Sequence, residues 1–198
     1  MRTETLDCRG MTCPNPVLKT KELIEKNDIG QVTVIVDNLA AQENVNRFLS
    51  RFGFSVDVRE TGGNFEVTGT RNESEPCLIT EESSETRKIV ILLGTETLGR
   101  GDDELGRKLV LNFLLTLKEM GPDLWRLVLV NGGVKLSVEG ADALASLQEL
   151  EQGGVRVMVC GTCLNHFGLL EKKKVGETTN MLDIVTAMQL SDKVISLT

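Results

Sequence analysis

The run Cys13-Pro14-Asn15-Pro16 sets a thiol directly before one proline and three residues before another, in a chain of 198 residues that has four prolines and five cysteines. A residue before proline is driven out of helical φ/ψ space into the extended region that a helix N-cap also adopts. Cys13 is therefore expected at a helix N-cap, with Pro14 at the first helical position, where a missing N–H is harmless, and Pro16 at the third. Of the two amides that ordinarily reach back to a cap side chain, that of Asn15 remains. This donor and the helix dipole favour thiolate over thiol and lower the sulfur below the usual pKa of about 8.5. The chemistry that fits is nucleophilic attack by an uncrowded sulfur, with Pro14, Asn15 and Pro16 shaping its binding surface.

A second constellation, Cys160-Gly161-Thr162-Cys163, follows an apolar run and opens a short helical stretch over residues 164–170. It reads as a redox pair, as half a zinc site, or as a persulfide acceptor with a resolving thiol, while Cys160 alone also reads as a small core hydrophobe. A structural zinc site needs four ligands, and His166, Cys77, Cys8 and Cys13 supply no second C-x-x-C. Neither a metal nor a cofactor is expected. His166 is a candidate base for Cys163 or a helix histidine with local hydrogen bonds. Gly94-x-x-x-x-Gly99 lacks the Lys-Ser/Thr of a P-loop. Arg100-Gly101-Asp102 reads as a loop entering a helix, residues 172–174 as a solvated lysine face, and Cys77 as incidental.

Two differently patterned halves must position these thiols. In the first, Val32, Val34 and Val36 alternate as a strand, and Phe54, Val56 and Val58 do so with Phe65 and Val67 across a Gly62-Gly63 turn. A helix from Pro14 presents Val17, Leu18, Leu23 and Ile24. A second presents Val45, Phe48, Leu49 and Phe52 and stops at Gly53. With an opening strand over residues 3–7 the order is β-α-β-α-β-β, a two-layer α/β sandwich with both helices on one side of a mixed sheet.

In the second half, continuous apolar runs at residues 88–93, 126–130, 155–160 and 193–197 alternate with helical segments. Strands buried on both faces with crossover helices indicate a doubly wound parallel α/β domain. Along residues 102–120 apolar side chains wrap most of one helix, so one flank is expected on the sheet and another against a second subunit. Residues 72–86, acidic and rich in serine, read as a linker between a domain over residues 1–71 and another over residues 87–198.

Composition narrows the classes. The formal charge is -7 and the pI is near 4.9. The excess acid lies in residues 72–86, with five carboxylates and no basic residue, whereas residues 1–71 hold nine basic against ten acidic residues and residues 87–198 hold 13 against 14. No basic face for nucleic acid is expected, and an aromatic content of 4% leaves little for base stacking. No apolar run approaches the roughly 18 residues of a membrane span and no signal-peptide pattern opens the chain, so a cytoplasmic protein with free thiols is expected.

Leu6-Asp7, Gly10 and Cys13-Pro14-x-Pro16 followed by Leu18-Lys19 resemble the signature of the TusA (SirA-like) sulfur-carrier family over residues 1 to about 71. The resemblance implies that Cys13 carries persulfide sulfur between proteins, with a cysteine desulfurase-like donor and a protein acceptor as partners. The second half is similar to the DsrE-like family of parallel α/β proteins, which often oligomerise and in sulfur-relay members carry a reactive cysteine after a central strand; Cys160 matches that position, and Cys163 has no counterpart in the simpler members. The fused arrangement resembles the YedF proteins of selenium metabolism.

The leading expectation is a sulfur or selenium carrier acting through Cys13, with relay to Cys160 and Cys163, rather than a turnover enzyme. The other two are a thiol–disulfide module using Cys160 and Cys163, and a non-catalytic regulator that docks through the first domain. Sulfur and selenium need the same thiolate and are not distinguished. Nor are the donor, the acceptor, the subunit number, the reactive member of the C-x-x-C pair, or roles for Cys8 and Cys77.

Overall fold

The valine alternation at residues 32, 34 and 36 becomes the central strand of a first sheet, and the apolar runs of the second half become a second sheet. The computed structural model describes residues 2–12, 14–26, 29–71 and 86–198. The chain divides into two units, Met1–Ser83 and Ser84–Thr198. Cys13, Cys77 and all of the expected linker except Thr86 lie outside the described residues.

The first unit runs β1 (Arg2–Asp7), α1 (Asn15–Lys26), β2 (Ile29–Val36), α2 (Leu39–Arg51), β3 (Phe54–Thr61) and β4 (Asn64–Arg71). Its sheet has the order β1-β2-β4-β3, with β1 parallel to β2 and the other pairings antiparallel. Val32, Val34, Val36 and Val67 are fully buried in a core with Ile24 of α1 and Val45 and Leu49 of α2. Such β-branched residues, alternating on one face, are what a half-buried strand requires. Val58, on edge strand β3, stays exposed.

The second unit runs β5 (Ile89–Leu93), α3 (Asp103–Thr116), β6 (Leu124–Leu129), α4 (Leu144–Gln152), β7 (Arg156–Cys160), α5 (Gly161–His166), β8 (Glu177–Thr179), α6 (Met181–Gln189) and β9 (Lys193–Leu197). The sheet order is β8-β7-β6-β5-β9 and every pairing is parallel. The chain steps from β5 to β8 in one direction and then returns across the sheet to β9. Right-handed crossovers therefore place α6 on the face opposite α3, α4 and α5, which is the doubly wound arrangement.

Several boundaries differ from expectation. The helix expected over residues 102–120 ends at Thr116, and Leu117–Asp123 continue as 3-10 turns because Gly121 adopts φ 55° and Pro122 lacks a donor. The helical stretch expected over residues 164–170 begins earlier, at Gly161, and stops at His166, with a separate 3-10 turn at Leu170–Lys172. Strand β8 is an addition: three polar residues held by pairing with Met158 to Cys160. Nor are the lysines at 172–174 a purely solvated face, since Lys173 donates to the carbonyl of Gly176 and Lys174 pairs with Glu139 at 3.5 Å. Asp102 does cap α3, accepting from the Leu105 N–H at 2.7 Å. Among the described residues no helix is long and apolar enough to cross a membrane.

Candidate functional site

The loop from β1 to α1 carries the C-P-x-P run. Its entry continues the sheet, the Cys8 N–H donating to the Ile35 carbonyl at 2.8 Å, and the Cys8 side chain is buried in the first core. Burial pushes the Cys8 thiol up; it is a core residue. Beyond it two carboxylates hold the backbone. Asp7 takes the Arg9 guanidinium in a forked pair at 2.9 and 2.6 Å and the Arg9 N–H at 3.1 Å. Asp37, just past the end of β2, accepts the Gly10 N–H at 2.6 Å. Gly10 sits at φ 71°, where only glycine is unstrained. The neighbouring Asn38 donates to Asp37 at 3.0 Å and caps α2 by accepting from Ala41 at 2.8 Å.

These contacts set the charge of the loop. The Arg9 side chain, foremost, lowers Asp7 to about 2. The Gly10 N–H, and after it Asn38, lowers Asp37. Both are carboxylates at neutral pH.

The expected tip of α1 requires correction. The helix starts at Asn15, and its first i→i−4 bond runs from Leu18 N–H to the Pro14 carbonyl at 3.1 Å. That makes Pro14 the cap residue, one residue later than the sequence suggested, and Pro16 the second helical residue instead of the third. The Asn15 N–H, expected to serve the sulfur, donates to the Thr12 carbonyl at 3.0 Å. The Val17 N–H also donates to Pro14, at 3.0 Å. Pro16 is itself buried, and its carbonyl accepts from the buried Thr20 hydroxyl at 2.7 Å. Cys13 lies outside the described residues.

The second candidate site lies at the carboxyl ends of the parallel strands, where an open α/β sheet gathers its ligands. Cys160 ends β7 opposite Thr179 of β8 and is 3% exposed. Cys163, the third residue of α5, is half-buried and donates to the Cys160 sulfur at 3.0 Å. Both are free thiols. The Asn131 N–H donates to the Cys163 sulfur at 3.1 Å from a backbone at φ 46°. Burial, then the Cys160 contact, pushes the Cys163 thiol up, and the Asn131 N–H opposes them. The glycine between the cysteines is needed for room: a Cβ at Gly161 meets the Thr178 methyl at 3.0 Å and the Thr179 carbonyl at 3.3 Å.

Asn131 and Phe167 also line a cleft of about 680 Å³ bounded by residues 94–103, Arg107 and Lys135. Lys135 pairs with Glu96 at 2.6 Å across it. His166 meets Phe167 edge-on at 5.0 Å and makes no hydrogen bond among the described residues, so it is not the locally hydrogen-bonded helix histidine. Among those residues no cluster of three His, Cys, Asp or Glu side chains is placed to hold a metal.

Asp37 and Asn131 were not singled out in the sequence. Asp37-Asn38 at a strand end before a helix, and Asn131-Gly132-Gly133 after an apolar strand, are the local signals that mark them.

A carrier-type domain with a clamped strand-to-helix loop, followed by a parallel α/β domain with a dithiol at its strand ends, is the class of protein defined here. Residues 4–71 match the family described as sulfurtransferase TusA, and residues 99–197 match the DsrE/DsrF-like family. A Methanocaldococcus jannaschii protein named "Putative sulfur carrier protein MJ0990" is 41% identical over 56 residues, covering 28% of this chain and 75% of that protein. Among solved structures, a SirA-like protein from Desulfitobacterium hafniense is 30% identical, covering 35% of this chain and 99% of its own, with a TM-score of 0.33. The ychN protein from E. coli is 23% identical, covering 56% of this chain and 99% of its own, with a TM-score of 0.45. The chain belongs to the TusA sulfurtransferase family through its first domain and to the DsrE/DsrF-like family through its second, and these memberships support a sulfur-carrier role.

Proposed function

We propose that the protein is a sulfur or selenium carrier of the YedF kind, which takes a chalcogen atom from a desulfurase-like protein on Cys13 and hands it on, without being a turnover enzyme. The Cys13 thiolate attacks the outer sulfur of the donor persulfide. A new S–S bond forms on Cys13, the donor's bond breaks, and the donor sulfur leaves as thiolate. The observation that carries this reading is the clamp at Asp7 and Asp37, which fixes the backbone leading into a C-P-x-P run. A carrier must offer one sulfur to two successive partners, and a fixed approach serves both. The protein works in the cytoplasm, where reductants keep its thiols free, and its second domain assembles with copies of itself.

Intact mass after incubation with a cysteine desulfurase and cysteine tests the assignment. One added sulfur is expected on the wild-type chain and none on Cys13→Ser. Undiminished loading of Cys13→Ser overturns it. A thiol–disulfide reading is favoured by the 3.0 Å contact of Cys160 with Cys163, and its mark is the loss of two hydrogens from that pair.

A further inference from the structure

We infer that the Cys160–Cys163 pair is a reductive outlet: a chalcogen atom received by Cys163 as a persulfide is expelled as hydrosulfide or hydroselenide when Cys160 closes a disulfide behind it. The source of the atom rests on the carrier reading; the step itself does not.

The two thiols differ in access. Cys160 is enclosed at the strand end, 3% exposed, so no sulfur on another molecule reaches it without opening the fold. Cys163 stands in front of it, half-buried and held by Asn131, which lines the cleft. Of the cleft's charged side chains Lys135 is paired with Glu96, and Arg100 and Arg107 outnumber Asp103, a net positive wall that suits the anionic form of a persulfide donor. An atom arriving at Cys163 therefore has a second thiol directly behind it, at 3.0 Å. A disulfide needs a separation of about 2.05 Å, so the pair closes by an approach of roughly 1 Å. Charge at Cys163 is disfavoured by burial, and closure removes it: the neutral disulfide stays and the charge leaves with the product. A simple relay station has no use for the second sulfur.

The step balances. Cys160 loses its proton and attacks the inner, Cys163 sulfur of Cys163–S–SH. The Cys160–Cys163 bond forms, the inner–outer S–S bond breaks, and the outer sulfur departs with the bonding pair and the protons as hydrogen sulfide. The outer sulfur is reduced and the Cys160 sulfur is oxidised, while the Cys163 sulfur, already oxidised in the persulfide, keeps its level in the disulfide. A dithiol reductant, small or protein-borne, returns the pair to two thiols and supplies two electrons per atom released.

The test uses the full chain carrying Cys13→Ser and Cys77→Ser, which leaves the pair and the buried Cys8. Cysteine persulfide, one equivalent, is added to the reduced chain, and hydrosulfide, intact mass and peptide maps are recorded. Expected are one hydrosulfide per chain, a loss of two hydrogens, a Cys160–Cys163 disulfide, and a further turnover after dithiothreitol. Adding Cys160→Ser, or Cys160→Ala as the second variant, should leave one extra sulfur on Cys163 and slow release by about tenfold or more. The inference is overturned by a lasting extra sulfur in the chain with both cysteines, by equal release without Cys160, or by no modification at Cys163. The probe bypasses Cys13, so failure here with Cys13 loading intact removes only the outlet, and failure of Cys13 loading with the outlet intact removes only the carrier.

Discussion

Asp7 and Asp37 hold the backbone leading to Cys13 through bonds of the charge-assisted kind, one to a guanidinium and one to a single amide. Both are at the surface, where such bonds add little to global stability, so their effect is expected on the loop. Asp37→Ala releases the Gly10 N–H and the turn it supports while leaving the core untouched. Desulfurase loading of Cys13 is expected to slow on the order of tenfold, with the far-UV spectrum and unfolding midpoint nearly unchanged. Loading at the wild-type rate would show that the clamp has no part in the transfer. The pH dependence follows from the sign of the shifts. Both carboxylates are lowered in the folded protein, Asp7 to about 2. Their contribution is present above the ordinary value of 3.8 and is lost only as pH falls through the folded values. The clamp therefore stays closed between pH 7 and 5, and a loss of loading across that range reflects the thiolate or the donor.

At the scale of elements, α1 shows both how far pattern reading reaches and where it stops. The alternating valines of β2 and the apolar runs of β5, β6, β7 and β9 were legible because burial on one face or two imposes a period. Strand β8 was not: three polar residues carry no period, and pairing with β7 makes them a strand. The cleft was hidden because residues 94–103, 131–135 and Phe167 meet only in the folded chain. The start of α1 was misplaced by one residue because the turn bond from Asn15 to Thr12 is invisible to a rule that counts from proline. That residue changes the meaning of Pro16. Its ring is buried beneath the helix and packs there, whatever it does for the sulfur. Pro16→Ala is expected to destabilise the first domain by about 1–2 kcal/mol, from lost buried methylenes and a freer unfolded chain. The rate of Cys13 loading should change less than about twofold, since the Asn15 and Val17 N–H groups keep their carbonyl partners on Thr12 and Pro14. Hydrogen exchange of the α1 amides reads the first effect and single-turnover loading the second. Slowed loading with full α1 protection would return a steering role to Pro16.

For the molecule as a whole, each unit closes its own core, one around Val32, Val34 and Val45 and the other around Ile91, Leu127 and Val159. Among the described residues Leu39 and Val58 stay exposed on the first unit, and most of the large apolar side chains left exposed lie on the second. Its α3 uses Val110 and Leu114 against the sheet and keeps Leu105 (55% exposed) and Leu109 outside. The opposite-face helix α6 exposes more: Met181, Leu182 at 74%, Val185 and the following Leu190, with Val194 of β9 also uncovered. Exposed apolar side chains clustered on one element favour association, by about 25 cal/mol for each Å² removed from water. For the self-association expected from the leucine-rich helix of residues 102–120, we propose α6 as a second and larger candidate surface. Leu182→Lys with Val185→Lys should lower the molar mass by light scattering at micromolar concentration, leaving the far-UV spectrum intact because both side chains already face solvent. Leu105→Lys with Leu109→Lys should lower it less. The reverse ranking would restore α3 as the contact, and a wild-type chain that scatters as a monomer would remove self-association through either helix.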